Sequence, residues 1–431
     1  MKKEPVLLYN LFPLLYGKIE NWYAPVKTAK YMGFNTIYLN PIFEIGLSGS
    51  IYSIKDFFVI DKKFSVGATN TKRKQELKSF IEFVHKNNMR IIIDIVLNHT
   101  AIDSPLIKKH PEWYYIKNGK VQHPGAYDAG KWVEWGDLAH INNQNSIDKK
   151  NLYEYWWKLI KFYLELGFDG FRADAAYQIP TELWKFIISR TKKENTNVLF
   201  IAETLGCTVD KTIAVAKSGF DYIFNSVKYW NYIDNWPLEQ LTELLTSLKK
   251  VSSIGFPESH DTERLHSELN DDFNKLNAKI LSLIFFSEGL MITSGFEYCY
   301  KKRLNVVTTT ESDKENTGKD ITGYIKHILE FKRKYKILNE DSLIIKIEPE
   351  QSGNVLVLLK ISTDRTERCL FILNRNFSGY ERVYFKNIFD IFRAQYVPYD
   401  ISVDYPMEYI PKEFEYYLRP GQVKILYMKE N

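Results

Sequence analysis

The sequence predicts an α/β fold, namely a (β/α)8 TIM barrel that carries a small inserted domain after strand 3 and a C-terminal antiparallel β domain. Short apolar segments alternate eight times with longer amphipathic segments, which is typical of parallel strands joined by helices. The stretch 99–145 follows the third strand, has no long helical pattern and is too long for an ordinary loop. After residue 337 the pattern changes to alternating strands, which indicates an antiparallel β domain.

The barrel prediction depends on eight strands and eight helices taken in chain order. The strand candidates are Val6–Asn10, Thr36–Leu39, Arg90–Asp94, Gly170–Asp174, Val198–Glu203, Tyr222–Asn225, Ser253–Glu258 and Leu290–Thr293. The helix candidates are Trp22–Met32, Lys72–Asn87, Asp148–Leu166, Thr181–Arg190, Val209–Ser218, Leu238–Leu248, Asp272–Ser287 and Thr322–Tyr335. An open doubly wound sheet is the alternative, but it would usually have a Gly-rich nucleotide-binding turn after its first strand, and this sequence has none there.

These segments divide the chain into three predicted domains. The catalytic barrel comprises residues 1–98 and 146–336, the inserted domain B comprises 99–145, and a C-terminal β-sandwich domain comprises 337–431. The last assignment depends on the strand-like segments SLIIKIEP, VLVLLKIS, CLFILN, RVYFKN and FEYYLRPGQVKILYM.

Composition and charge restrict the class of protein. The 58 basic and 53 acidic residues leave a net charge of +5, an excess too small and too dispersed to indicate a nucleic-acid partner. The three cysteines are isolated, so they predict neither a disulfide framework nor a metal site, and they suit a reducing compartment. Glu4 and Pro5 interrupt the basic segment with which a secretory signal peptide would begin. No apolar run approaches the ~18 residues of a membrane span. We therefore expect a cytoplasmic protein that binds no membrane.

Chemically useful side chains stand where the predicted strands end. In a parallel barrel these ends lie on one face, and catalytic groups come from several of them. Three predicted strands end in a carboxylate directly after an apolar segment, and a fourth contains one. The residues are Asp94, Asn98 and His99 for the third strand, Arg172 and Asp174 for the fourth, Glu203 for the fifth, and His260 and Asp261 for the seventh.

The spacing of these residues suggests a reaction. Arg172 and Asp174 are two apart, so their side chains share a strand face, and a guanidinium keeps a neighbouring carboxylate ionised, as a nucleophile requires. Glu203 ends the next strand, about 4.8 Å away, and retaining glycosidases hold their two carboxylates roughly 5–5.5 Å apart. Asp261 would add a third carboxylate, and such crowding raises at least one carboxyl pKa. We assign the raised pKa to Glu203, as general acid.

Four segments carry a family resemblance. DIVLNH (94–99), GFRADAA (170–176), ET (203–204) and SHDTER (259–264) resemble, in order and spacing, the four signature regions of the α-amylase superfamily of glycoside hydrolases. Three further segments are also similar to motifs of that family: SIYSIKDFFVIDKKFS (50–65), WGDLAHIN (135–142) and LMITSGFE (290–297). The resemblance covers the chain from about Val6 to Tyr335.

The resemblance implies roles for individual residues. Asp174 would be the nucleophile, Glu203 the general acid/base and Asp261 the carboxylate that stabilises the transition state. Contacts to substrate, or support for the catalytic carboxylates, would come from Tyr52, Asp94, His99, Arg172, His260 and Arg264.

The sequence departs from the family pattern after the fourth strand. Many amylases have Lys-His where this chain has Tyr177-Gln178, and there the pair contacts acceptor sugar while the His carbonyl helps to hold a structural calcium. We therefore keep Tyr177 and Gln178 as substrate-binding candidates and leave calcium undecided. Asn98 and Asp137 are the remaining candidate calcium ligands.

Three functions remain open at this stage. The leading hypothesis is a retaining α-glycosidase or transglycosidase that acts on α-glucans or maltooligosaccharides through a covalent glycosyl-enzyme intermediate. The segment HPEWYYIKNGK (110–120) looks like the maltosyltransferase branch, so transfer of maltosyl units from maltose 1-phosphate is the alternative, with Lys117, Lys120 and Lys131 as candidate phosphate ligands. A non-catalytic sugar-binding scaffold is the third hypothesis, and the complete carboxylate set argues against it.

Overall fold

The computed structural model describes residues 4–128, 130–248, 252–392 and 397–430, and in it eight parallel strands close into a barrel. The barrel strands are β1 Leu7–Leu11, β2 Thr36–Leu39, β3 Arg90–Ile95, β4 Gly170–Ala173, β5 Leu199–Ala202, β6 Tyr222–Phe224, β7 Ser253–Gly255 and β8 Gly289–Thr293. Neighbours in the barrel follow chain order, and β1 pairs with β8 to close it, with Leu8 opposite Met291. The predicted TIM barrel is confirmed.

Strand β7 is shorter than the sequence pattern predicts. It ends at Gly255, whereas we expected it to continue to Glu258. Pro257 has no N–H with which to extend the ladder, so the chain leaves the barrel before that residue. Glu258 therefore belongs to the loop that carries His260 and Asp261.

Eight long helices connect the strands or follow them. They are α1 Tyr23–Met32, α2 Asn70–Lys86, α3 Lys149–Leu166, α4 Thr181–Glu194, α5 Val209–Ala216, α6 Trp236–Ser247, α7 Phe273–Phe286 and α8 Thr322–Lys334. Their apolar faces cover the outer wall of the barrel, while a smaller set of side chains, including Leu8, Ile92 and Ile201, fills its interior. Because both strand faces are covered, the strands consist of nearly continuous apolar residues. Across the described ranges, no helix is long and apolar enough to cross a membrane.

The inserted segment after β3 consists of short antiparallel pairs. His99–Ala101 pairs with Leu138–His140, so the two ends of the insertion are joined beside the barrel mouth. Further along, Gly125–Asp128 pairs with Lys131–Glu134, and Ile116–Lys117 pairs with Lys120–Val121. This arrangement places the insertion over the carboxyl ends of β3 and β4.

The C-terminal region forms two antiparallel sheets. Its strands are β9 Ile344–Lys346, β10 Gln351–Ser352, β11 Val355–Ile361, β12 Glu367–Asn374, β13 Glu381–Phe385, β14 Tyr399–Asp400, β15 Phe414–Leu418 and β16 Val423–Lys429, with a short helix at Ile388–Phe392. The five-stranded sheet has the order β9-β11-β12-β16-β14 and the three-stranded sheet the order β10-β13-β15. Apolar side chains from both sheets, such as Ile372 and Val383, share one core. The predicted antiparallel β domain is confirmed.

Candidate active site

The predicted carboxylates meet at the carboxyl end of the barrel. Asp94 lies within β3, and Asp174 and Glu203 each follow their strand by one residue. Their backbones still continue the barrel ladder, because the Asp174 N–H donates to the Ile95 carbonyl at 3.0 Å and the Glu203 N–H donates to the Ala173 carbonyl at 3.1 Å. The two carboxylates therefore stand on the rigid barrel rather than on a loop.

Arg172 connects three of these carboxylates. Its buried guanidinium places Nη1 2.9 Å from Asp94 Oδ1 and 2.9 Å from Asp174 Oδ1, and Nη2 2.9 Å from Glu203 Oε2. Burial is the strongest influence and lowers the pKa of Arg172, but attraction to Asp94 and Glu203 outweighs it and the net shift is upward. Arg172 is therefore permanently charged, and it brings Asp174 and Glu203 together.

The pKa of Asp174 differs from the sequence expectation. Burial raises the pKa of Asp174; Arg172 lowers it, Glu203 raises it again, and the net shift is well upward. One Glu203 oxygen forms an ion pair with Arg172 Nη2 at 2.9 Å and accepts the Ala175 N–H at 2.8 Å. The sequence predicted that Arg172 keeps Asp174 ionised, whereas burial outweighs Arg172 and raises the pKa of Asp174 in the free protein.

Two tyrosines hold Asp94 from the opposite side. The hydroxyls of Tyr38 and Tyr52 both donate to Asp94 Oδ2 at 2.6 Å. The Tyr52 ring lies parallel to His260, with centroids 5.3 Å apart. Asp94 is therefore fully hydrogen-bonded beneath the cleft, as expected for a residue that supports Arg172.

Asp261 lies at the surface of the site. Its side chain is 59% exposed, and its Oδ2 lies 3.0 Å from His260 Nε2. Burial of the surrounding region raises the pKa of Asp261, but attraction to His260 and Arg172 outweighs that effect and lowers it to about 2. Asp261 is thus ionised and open to a ligand.

His99 lies across the cleft from His260. Its Nε2 is 3.2 Å from the Tyr52 carbonyl oxygen, and its ring meets the edge of Trp135 at 6.2 Å between centroids. Burial lowers the pKa of His99 to about 4, so the ring is neutral near pH 7. A neutral buried imidazole suits hydrogen bonding to an uncharged ligand.

These side chains surround an open cleft of about 410 Å³. Polar and aromatic residues of the barrel and of the insertion line it together, which is the usual composition of a small-molecule site. The lining includes Ser50, Tyr52, His99, Trp135, Asp137, Asp174, Tyr177, Glu203, His260 and Asp261.

Arg264 does not reach this cleft. The resemblance implied a substrate contact, but the side chain is 1% exposed and its guanidinium pairs with buried Glu258. Arg264 also donates to the carbonyls of Ser294 and Lys302, and Glu258 accepts the Leu265 N–H. The pair therefore fixes both ends of the loop that carries His260 and Asp261. Glu258 and Arg264 are six residues apart in the sequence, on either side of His260 and Asp261. This spacing of a carboxyl and a guanidinium group could have predicted the ion pair.

Gln178 also faces away from the main cleft. Its Nε2 donates to the Gly125 carbonyl at 3.3 Å, and its Oε1 accepts from Asn98 Nδ2 at 2.7 Å. Because a carbonyl can only accept, Gly125 fixes the orientation of the Gln178 amide, which in turn fixes that of Asn98. Gln178 thus joins the end of β3 to the inserted segment.

The contacts of the candidate calcium ligands Asn98 and Asp137 favour hydrogen bonding, and calcium use stays a prediction. Calcium takes six to eight oxygen ligands. Here the oxygens of Gln178 and Gly125 accept N–H groups, Asn98 presents its N–H to Gln178, and Asp137 lines the cleft. These amides are bonded to one another rather than directed at a common point.

We expect removal of divalent metal ions to leave the thermal stability of the protein unchanged, and loss of the Gln178 amide to lower that stability. Dialysis against EDTA should not change Tm, whereas Gln178→Ala should cost about 1 kcal/mol per lost hydrogen bond and accelerate proteolysis within 99–145. Differential scanning fluorimetry and limited proteolysis measure both effects. Gln144→Ala, at an exposed position in the same region, is the control. A Tm that rises with calcium and falls with EDTA would contradict the expectation.

Comparisons with known proteins identify similar sequences and a similar fold. Residues 3–120 match the family described as the glucanotransferase domain of glycogen debranching enzyme. The chain is 26% identical over 275 residues to an α-1,4-glucan:maltose-1-phosphate maltosyltransferase of Corynebacterium glutamicum, a match that covers 58% of this chain and 39% of that protein. It is 20% identical over 380 residues to a cyclomaltodextrinase of a Bacillus species, covering 81% and 64%. This chain therefore spans less than two thirds of either relative.

Among solved structures, a noncanonic maltogenic α-amylase from Thermotoga neapolitana has the same fold. The TM-score is 0.73 at 20% sequence identity, and the match covers 99% of both chains. The likeness in fold therefore extends over nearly the whole chain.

Proposed function

We propose that this chain, which belongs to the α-amylase superfamily, is a retaining enzyme that cleaves α-glucosidic bonds in α-glucans or maltooligosaccharides and transfers the released glycosyl unit to water or to a sugar. The observation that carries the proposal is the Arg172 guanidinium, which holds Asp174 and Glu203 side by side in an open cleft. Paired carboxylates of this kind are what double displacement at an anomeric carbon requires.

In the first step of the proposed mechanism, an Asp174 oxygen attacks the anomeric carbon while Glu203 gives its proton to the glycosidic oxygen. The bond to the leaving sugar breaks and a covalent glycosyl ester forms on Asp174. In the second step, Glu203 removes a proton from water or from an acceptor hydroxyl, whose oxygen displaces Asp174. Each attack comes from the side opposite the leaving group and inverts the anomeric carbon, so the two steps together retain the α configuration.

The first step requires a proton on Glu203 and an ionised Asp174. In the free protein burial raises the pKa of Asp174, which the first step needs in its ionised form. A bound glucan offers Glu203 a glycosidic oxygen as acceptor, which stabilises the form with Glu203 protonated and Asp174 ionised. Binding of substrate would thus set the protonation that the first step needs.

The residues around the pair suit a sugar ring. Ionised Asp261 can accept hydrogen bonds from ring hydroxyls, and neutral His99 can bond to hydroxyls without a charge penalty. His260 lines the same cleft beside Asp261. Tyr52 and Tyr177 line the same cleft and provide apolar surface for the ring faces.

Product analysis with maltoheptaose tests the proposal. We expect shorter oligosaccharides on incubation of the purified protein, and products longer than the substrate if transfer competes with hydrolysis. Mass spectrometry with and without added glucose separates the two, because transfer creates new acceptor products. Failure to convert maltoheptaose, other α-glucans or maltose 1-phosphate would refute the enzyme assignment.

Maltosyl transfer from maltose 1-phosphate is the second candidate, favoured by the maltosyltransferase relative. Lys117 and Lys120 face each other across a two-stranded pair in the insertion, and both are exposed, as is Lys131. Like charges opposite each other are unfavourable and would be relieved by a phosphate. Release of inorganic phosphate from maltose 1-phosphate in the presence of maltooligosaccharide would support this donor, and cleavage of maltooligosaccharide alone would exclude the need for it.

A further inference from the structure

Asn40 follows β2 and lies below the cleft. It is fully buried, and it is not among the described residues that line the cavity. Its side-chain amide nevertheless contacts two residues that do, because Nδ2 is 2.9 Å from the Tyr52 hydroxyl and 3.2 Å from His260 Nδ1. The same nitrogen lies 3.3 Å from the buried Tyr38 hydroxyl. An amide at this position acts on the site only through its neighbours.

The orientation of the Asn40 amide is determined by a backbone carbonyl. Asn10 Nδ2 donates to the Tyr38 carbonyl oxygen at 3.2 Å, and the same nitrogen donates to Asn40 Oδ1 at 2.8 Å. Since the carbonyl can only accept, Asn10 presents its N–H groups on that side, and Asn40 must receive one through its oxygen. The Asn40 N–H groups are therefore directed at Tyr52 and His260, with the Tyr38 hydroxyl as the most distant acceptor.

A donor at Nδ1 decides the tautomer of His260. Nδ1 must accept from Asn40, so the ring proton of neutral His260 is on Nε2. Nε2 lies 2.7 Å from the Tyr52 hydroxyl and 3.0 Å from Asp261 Oδ2, and that hydroxyl directs its own proton to Asp94. The Nε2–H therefore meets only acceptors.

The ring itself has little freedom to turn. It stacks with Tyr52 at 5.3 Å and with Phe12 at 6.2 Å between centroids. With the ring plane held, the position of the proton is the remaining variable. The charged groups that face it are Asp261 directly and Asp94 through Tyr52.

We propose that Asn40 is a positioning residue that fixes His260 as the neutral, Nε2-protonated tautomer and so directs its N–H to Asp261 and to a bound sugar. The part that concerns the sugar rests on the proposed function. The part that concerns the tautomer does not, because it can be read from the free protein.

Imidazole ¹⁵N NMR tests the tautomer directly. The chain has eight histidines, and His260→Gln identifies the signal of interest. In the wild type we expect a protonated Nε2 and an unprotonated Nδ1 at neutral pH. Asn40→Asp places an acceptor at Nδ1, so both ring nitrogens should become protonated. An Nδ1-protonated or doubly protonated wild-type ring overturns the proposal, and this result is available even if Asn40→Asp does not fold.

Asn225→Asp is the matched control. Asn225 follows β6 as Asn40 follows β2, and it donates to the Ser253 and Ser287 hydroxyls rather than to His260. The control should leave the His260 signal and kcat/KM unchanged.

Asn40→Asp should lower kcat/KM about tenfold, equivalent to ~1.4 kcal/mol, and should have no further effect in a His260→Gln background. Equal losses in both backgrounds would overturn the proposal. A wild type without glucan turnover would remove the proposed function while the NMR result still decides the tautomer.

Discussion

Replacement of Asp174 by Asn is expected to abolish turnover of maltooligosaccharide while the fold persists. The amide keeps the size of the carboxylate and can still accept the hydrogen bond from Arg172, but it cannot form the glycosyl ester. Loss of a group that makes the covalent bond typically costs about 10⁴-fold or more in kcat, or ~5.5 kcal/mol of barrier. Product formation measured by mass and Tm measured by fluorimetry report the two properties separately.

Asp169→Asn is a suitable control for this variant. Asp169 precedes the same strand, β4, at the opposite end of the barrel, where it accepts from the Ile91 N–H at 2.8 Å. We expect it to lower Tm and leave kcat nearly unchanged. If Asp174→Asn kept turnover within tenfold of the wild type, Asp174 would not be the nucleophile.

Azide separates the roles of the two carboxylates. With an α-linked donor, azide should restore Asp174→Ala by direct attack and give a β-glycosyl azide. With Glu203→Ala it should attack the ester on Asp174 in place of water and give an α-glycosyl azide. Opposite anomers from the two variants would assign nucleophile and acid/base, and the reverse pattern would exchange them.

Much of this site was predictable because side chains along a strand alternate in direction with a repeat of two residues. A two-residue spacing placed Arg172 and Asp174 on one face, and adjacency of β4 and β5 placed Glu203 beside them. Both inferences need only the alternation of strand side chains and the common direction of barrel strands. For that reason the observed barrel strands also begin within one residue of their predicted positions.

The residues that sequence reasoning missed owe their positions to long-range packing. Asn40 precedes a proline and reads as an ordinary turn residue, and Tyr38 reads as part of a buried strand. The Ala175 N–H donates to Glu203, and Ala175 adopts a left-handed φ of 41°. Strain of this kind for a residue with a β-carbon is typical of functional sites, but sequence alone does not indicate it.

Arg264→Met is expected to produce the largest loss of stability in the protein. It removes the only partner that the described residues provide for the Glu258 side chain besides the Leu265 N–H, and leaves a buried carboxylate. Breaking a buried pair from one side costs about 3–5 kcal/mol of unfolding free energy. Urea unfolding monitored by fluorescence measures it. Turnover should fall as well, because the loop carrying His260 and Asp261 loses its attachment to Ser294 and Lys302.

The pH dependence of this loss identifies its cause. Burial already raises the pKa of Glu258, with Arg264 opposing the shift, so removal of Arg264 must raise that pKa further. A carboxyl group with a raised pKa in the folded state is tolerated while protonated, so the variant should approach wild-type stability below the unfolded pKa of about 4.3 and lose stability as the pH rises.

Glu258→Gln combined with Arg264→Met should remove this pH dependence. Arg303→Met, at an exposed pair with Glu263, should cost less than about 1 kcal/mol at any pH. A deficit in Arg264→Met that did not change between pH 4 and pH 8 would mean that lost packing, rather than the unpaired charge on Glu258, destabilises the loop.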